Sequence, residues 1–466
     1  MRSRLCLPSV LRRHRRSVAL GLLVLVLSLA SGLAPVQAQS SGSGSIYSRF
    51  GVGELHGFSS SQSQALGGGA YALRSLNYNA AQNPALWSDQ VYTRFLMGGT
   101  FRAVDVRDGE GGEGLVQSGN LDAIHFSFPL YRESLGIGLA FQPYSRSDFR
   151  VTRDDAIFLP DGTRAPYEVE FDGSGGLNLL RGGLGYKVTE ALRVGGAVDV
   201  LFGIRESRRT TRFTNPQQAG ALRSAEVVDE LQLFGVTGTF GGHLALSDVF
   251  QDEDAFSIGA SVTLPASLSG DRVQLLEDND PSTQEDTLTV TDGGSLTKEV
   301  SGDVTLPVQA RLGVSYQFDD RWTFVADGEY GQWSNLSSSF DGAEQTRPFP
   351  VGGESSLDDR WRVSTGVEVV PGGDDRLAPY FSRVAYRLGG YVEHAYVQPD
   401  PSSDVNVWGL TGGFSLPTPV SGTRIDLNGV VGRRGTTEAS LVRDTFYGFS
   451  LFVSFGERWF QERKLR

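Results

Sequence analysis

Cysteine is nearly missing from this chain: Cys6 is the only one in 466 residues. It lies in a basic stretch, RSRLCLPSVLRRHRR, that leads into the apolar run VALGLLVLVLSLASGLA. A basic head, a short apolar middle and the small-residue site Val36-x-Ala38 describe a secretory signal peptide. Residues 1–38 are therefore expected to leave, and the mature chain to begin near Gln39. Cys6 leaves with them, which excludes disulfides, a thiolate nucleophile and a cysteine metal site. Lysine is scarce too, with only Lys187, Lys298 and Lys464. The signal carries six arginines and no acids, so its loss moves the net charge from −12 to −18. So acidic a chain is a poor partner for nucleic acid. After residue 38 no run of about 18 apolar residues remains, so no helix is expected to span a membrane. Export without a spanning helix leaves the periplasm, the medium or the outer membrane.

Catalytic signatures are also lacking. Four histidines follow the signal: His56, His125, His243 and His394. None has the HxxxH or HxxE spacing of a zinc site, and there is no G-x-S-x-G nucleophile elbow. LGGGAY lacks the GK[ST] of a phosphate loop, so its glycines are read as permitting tight turns. Glu393 and His394 are adjacent on an expected strand and so face opposite sides. No catalytic residue, metal or cofactor is expected.

What is present is alternation. In FYGFSLFVSF (446–455), Tyr447, Phe449, Leu451, Val453 and Phe455 share one face, with mostly small or polar residues between them. In LRVGGAVDVLFGIR, Leu192, Val194, Val198, Val200, Phe202 and Ile204 oppose Arg193, Asp199 and Arg205. In VTLPVQARLGVSYQF, Val304 to Phe318 alternate in one apolar set, including Val304, Leu306 and Val308, against Arg311. In RWTFVADGEY, Trp322 and Tyr330 share a face opposite Asp327 and Glu329. Their separation is roughly 20 Å along a tilted strand, near the spacing of two interfacial aromatic girdles. Fourteen such segments are expected, near 91–103, 119–130, 134–146, 175–187, 191–206, 229–247, 254–267, 302–318, 321–335, 357–370, 380–396, 404–416, 422–434 and 443–456. The odd-numbered connections through the ninth are long and polar, while tight turns such as 131–133, 188–190 and 319–320 fall between them. Short periplasmic turns, long external loops and an even strand count predict an all-β fold, a closed transmembrane antiparallel barrel over residues 91–466. Its apolar face then meets outer-membrane lipid and lipopolysaccharide, because only a closed barrel satisfies strand backbones in a bilayer. The lumen-facing candidates are Arg193, Asp199, Arg205, Arg311, Asp327, Glu329, Arg383 and Arg387. They would hold a ligand headgroup or simply pair with one another. An arginine among them could clamp a carboxylate. The stretch 271–303 has nine acids against two bases, reads as a solvated external loop open to cations, and contains TLTVT as a short hairpin arm.

Residues 39–90 do not alternate. After the linker QSSGSGS come a glycine triplet and NPALW, in which Asn83 suits a helix N-cap and Pro84 position N1. About fifty residues ahead of the first strand suit a plug in the lumen, or alternatively a periplasmic leader. Leu66, Tyr71, Leu73, Leu76, Leu86 and Trp87 need somewhere to pack, which favours the plug.

The stretch ALGGGAYALRSLNYNAAQNPALWS resembles the N-terminal region of the long-chain fatty acid transporter family of outer membrane proteins. Leu66, Gly67, Gly68 and Gly69 match its glycine segment, and Asn83, Pro84 and Ala85 its Asn-Pro-Ala triplet. YSRFGVGEL and ERWFQERK look like a related branch. The resemblance implies a fourteen-stranded barrel with an N-terminal hatch in the outer membrane of a Gram-negative bacterium. It also implies passive uptake of hydrophobic small molecules, which in known members can leave sideways through the wall. Among relatives of similar architecture is a shuttle subunit of a secretion system, so an envelope protein partner is the alternative. Two departures weaken transfer of a fatty acid substrate: Gly-Gly-Gly-Ala-Tyr in the glycine segment, and Lys464-Leu465-Arg466 where many barrels end in an aromatic residue.

Overall fold

Fourteen antiparallel strands close on themselves in the computed structural model. It describes residues 44–131, 134–159, 162–213, 225–278, 289–290, 294–295, 298–340, 356–373, 375, 377–399, 403–420, 422–438 and 441–457. Residues 1–43, which include the expected signal peptide, and the last nine residues lie outside these. The strands are β1 (Thr93–Arg107), β2 (Glu113–Tyr131), β3 (Leu135–Pro143 and Phe149–Phe158), β4 (Arg164–Lys187), β5 (Leu192–Phe213), β6 (Ala225–Ser247) and β7 (Ala255–Thr263 and Ala266–Asp278). They continue as β8 (Lys298–Leu306 and Gln309–Phe318), β9 (Trp322–Gly331), β10 (Arg360–Val369), β11 (Ala385–His394), β12 (Asn406–Pro417), β13 (Arg424–Arg434) and β14 (Arg443–Glu457). Each pairs with its neighbours in sequence, and β1 closes on β14 from Thr93–Glu457 to Arg107–Arg443. The short connections share one end with Thr93 and Glu457, which makes that end periplasmic. No described helix is long and apolar enough to cross a membrane; the strands do the crossing.

Alternation sets the two faces. On β5, Leu192, Val194, Val198, Phe202 and Ile204 are exposed on the outer surface, while Arg193, Ala197, Asp199, Leu201 and Arg205 are buried inside. Trp322 and Tyr330 are both exposed at opposite ends of β9. Trp322 continues into a stacked row with Phe318 and Phe324 near the periplasmic end, where aromatic rings suit the lipid interface. The protein is an outer-membrane barrel.

The wall is uneven in height. β4, β5 and β6 have 24, 22 and 23 residues, at least twice the roughly 9–11 that a tilted crossing needs. β10 and β11 have 10 each. The expected long loops after β1, β3 and β7 are therefore largely strand. Within the acidic stretch, Ala266–Asp278 and Lys298–Leu306 pair, and Thr289–Val290 pairs with Gly294–Ser295; its other residues lie outside those described.

Prolines interrupt the tall side. β3 breaks after Pro143, β7 at Leu264-Pro265 and β8 at Pro307-Val308, because proline cannot donate to the ladder. The β8 break corrects an expectation: Val304 and Leu306 turn inward and are buried, instead of sharing the lipid face with Ala310 and Leu312. β9 ends at Gly331, short of the expected 335, and a 3-10 turn at Trp333–Asn335 tucks Trp333 inside. The β2–β3 ladder stops at Ile124–Phe141 and does not resume above it. β3 there bends in, and Ser145 and Arg146 pair with Leu55 and Glu54.

Candidate functional site: the filled lumen

Residues 44–90 lie against the inward faces of the strands, and glycine explains how. On the periplasmic side Pro84–Asp89 form a 3-10 helix whose N-cap Asn83 accepts from Ala85 N at 3.2 Å. Asn83 Nδ2 also donates to Tyr71 O at 2.9 Å. Trp87 is fully buried and donates through Nε1 to Ala80 O at 3.0 Å. The wall under this helix is glycine. A Cβ at Gly136 would sit 1.8 Å from Trp87 O, at Gly138 2.5 Å from the Trp87 ring, and at Gly195 2.4 Å from Pro84 C. Leu66, also fully buried, rests in the same way on Gly366 and Gly389. Gly67 and Gly68 hold φ of 93° and 95°, a turn open to few other residues. Gly69 presses on Asp327. Leu76 departs from expectation and is exposed.

Ion pairs fix the same seat. Arg193 meets Asp89 at 2.7 Å, and Asp89 also takes Arg74 at 2.8 Å. Asp327 accepts from Ala70 N at 2.7 Å and Tyr71 N at 2.9 Å, a carboxylate held by two backbone donors. Arg387 pairs with Glu368 and Asp426, and Asp426 accepts from Ser61 and Tyr78, both at 2.6 Å. Asp199 is held by Arg181 through two bonds of 2.6 Å, and Arg181 donates to Ala81 O at 2.9 Å. Glu329 is shared by Arg311 at 3.3 Å and Arg360 at 3.1 Å, and takes Tyr71 OH at 3.1 Å. Arg205 reaches up to Gly51 O at 2.6 Å. One candidate is misplaced: Arg383 is not on the wall. It sits in the 3-10 turn Tyr380–Arg383 ahead of β11, over the Tyr380 ring, because β11 starts at Ala385 and not at 380.

Toward the outside the segment changes character. Glu54 binds Arg102 at 2.9 Å and Arg434 at 2.6 Å. Burial pushes its carboxyl up, but the two arginines outweigh that and hold it well below the usual range. His56 is pushed down to about 4, chiefly by burial and also by Arg102, Arg146 and Arg434, against the pull of Glu54. Ser45 and Tyr47 bond to Asp444 and Val442 at the external end of β14. A cavity of about 200 Å³ remains beside these residues, lined by Glu54, Arg102, Arg362, Glu393, Arg434 and Asp122 among others. It reaches the wall where the β2–β3 ladder has stopped; there Arg146 donates to Leu121 O across the break at 3.3 Å. Among the described residues the apolar part of the lumen is largely filled, leaving a smaller space of about 40 Å³ beside Leu179, Leu201, Ala266 and Leu306. Leu177, Leu201, Leu233, Leu268 and Leu306 face inward on the tall strands, and Tyr47, Val52, Trp333, Leu336 and Phe340 fill the space among them.

Several of these residues were readable but unread. Arg181 lies on an expected strand, masked by Gly182 and Gly183, which blur alternation. Arg360 and Arg362 flank Trp361 in a clean period of two. Glu54 carries no sequence signal at all.

The BamG family model matches residues 21–466. No curated protein sequence matches. Among solved structures the chain resembles a Pseudomonas aeruginosa FadL homologue at 13% identity and TM-score 0.54, covering 87% of this chain and 99% of that one. It also resembles the Ralstonia pickettii toluene transporter TbuX, at 17% identity and TM-score 0.51 over 86% of this chain and 99% of that one. The Pseudomonas putida toluene transporter TodX is similar at 18% identity and TM-score 0.51, over 88% and 100%.

Proposed function

The chain belongs to the BamG family and its likeness to the uptake channels is one of fold, and we propose that it works as a plugged, partner-binding barrel in envelope assembly or secretion. One observation carries this reading: the apolar interior is largely packed by the chain itself, and the larger space left open carries buried charge among its apolar lining. An alkyl chain gains about 0.8 kcal/mol per buried CH₂. Dehydrating a paired ion costs several kcal/mol. A chain lying against Glu54, Arg102, Arg362, Glu393 and Arg434 would lose more than it gained. Residues 44–90 then serve as a fixed plug, and the working surfaces are outside the lumen. Leu377 and Phe381, on the periplasmic connection between β10 and β11, are 95% and 75% exposed and suit such contact.

A second reading, passive uptake of hydrophobic molecules, is favoured by the stop in the β2–β3 ladder beside the larger cavity. Depleting the protein in its own host separates the two. Assembly predicts a broad fall in other outer-membrane proteins. A selective loss of growth on a hydrophobic carbon source, with the remaining outer-membrane proteins unchanged, would sink the assembly reading and favour uptake.

A further inference from the structure

The geometry points to a divalent transition-metal site at the external rim, built from Asp358, His394 and Asp404. These residues stand on three separate pieces of chain: just before β10, at the last position of β11, and two residues before β12. One donor atom from each lies within 4.8 Å of the other two. His394 Nε2 is 3.2 Å from Asp358 Oδ2. Its other nitrogen, Nδ1, faces Asn406 Oδ1 at 3.3 Å. An oxygen there takes the proton of Nδ1, so the lone pair of Nε2 points at the two carboxylates. Three acceptors then converge, with Gln398 Nε2 donating to Asp404 Oδ1 at 2.9 Å but no donor between the imidazole and Asp358, an arrangement that a cation resolves. A hydrogen bond on the far ring nitrogen is also how histidine ligands are ordinarily oriented toward a metal. One imidazole with two carboxylates suits zinc or manganese better than calcium, which takes oxygen alone. Asp404 is exposed, so water has access to complete the coordination.

The neighbours give the site a consequence. Leu357 pairs with Val397, and Tyr396 donates to Gly53 O at 2.6 Å. A cation joining Asp358, His394 and Asp404 would therefore lock the loop that holds down the outer half of the plug. Nothing in the spacing 358, 394, 404 announces this, because the ligands come together only when β10, β11 and β12 stand side by side.

The test is isothermal titration of zinc chloride into full-length protein without a histidine tag, in detergent, after EDTA treatment. One zinc should bind per chain, and His394→Ala and Asp404→Asn should each weaken binding by roughly tenfold or more, with Asn406→Ala in a similar range. Zinc should also slow deuterium uptake at residues 44–57 in wild type but not in His394→Ala. Gel migration of unheated protein confirms that each variant keeps a folded barrel. No saturable binding to wild type, or unchanged binding in folded His394→Ala and Asp404→Asn, overturns the site.

Discussion

The two halves of the N-terminal segment are seated by opposite means. In residues 60–90 the wall supplies most of the glycines: Gly136, Gly138, Gly195, Gly366 and Gly389 let a bulky segment press its backbone and Trp87 onto bare strand, and the segment's own Gly67 and Gly68 only make its turn. In residues 44–57 the glycines belong to the segment: Gly51 and Gly53 turn past Tyr396 and Arg146, and charge does the holding. The first seat is close. The second leaves a cavity of about 200 Å³. Close packing over buried ion pairs makes the lower half the firmer seat, whereas ion pairs beside open space make the upper half the part able to respond to pH and ions.

Removing Trp87 should give the largest effect. Trp87→Ala empties a fully buried site and should cost about 3–5 kcal/mol. Deuterium uptake should rise across 60–90 and stay unchanged at 44–57. Next comes Glu54→Gln, which leaves Arg434 and Arg102 without their counter-charge. A cost of about 2 kcal/mol is expected, below the value for a wholly buried pair because Arg102 keeps some water. Here the uptake should rise at 44–57 alone. Equal loosening of both halves by either variant would erase the distinction between the seats. Asn83→Ala removes the cap of the 3-10 helix and should loosen 83–89 by about 1 kcal/mol.

A further effect is in pH. His56 is held neutral in the folded protein down to about 4, while the released segment protonates near the ordinary value of about 6.5. Between these values the released form binds more protons, so the seat weakens as pH falls through that window. Glu54 acts in the same direction at lower pH, since its stabilisation is lost as the folded carboxyl is finally protonated. Protection of 44–57, measured against the intrinsic exchange rate at each pH, should therefore fall on acidification from pH 7 to 4.5, and His56→Gln should flatten the response.

Alternation made the wall legible. The fourteen strands and the inward set Arg193, Asp199, Arg205, Arg311, Asp327, Glu329 and Arg387 follow from a period of two wherever one face meets lipid. That signal fades outside the bilayer. At Glu168, Glu170 and Asp172 the strand persists with Ala165, Tyr167, Val169 and Phe171 on its other face, but the acids between them read as loop, so the height of β4 to β6 was hidden. A proline can also reverse the pattern, as at Pro307, which turns Val304 and Leu306 to the inside. The seat itself was present in the sequence as glycine. No local rule says what a bare stretch of wall is bare for until Trp87 is lying on it.

Native mass spectrometry of the protein extracted gently from its own outer membrane tests the central claim most directly. A stable protein complex around a barrel free of small molecules is the predicted result. A stoichiometric hydrophobic molecule inside a barrel without partners would contradict it.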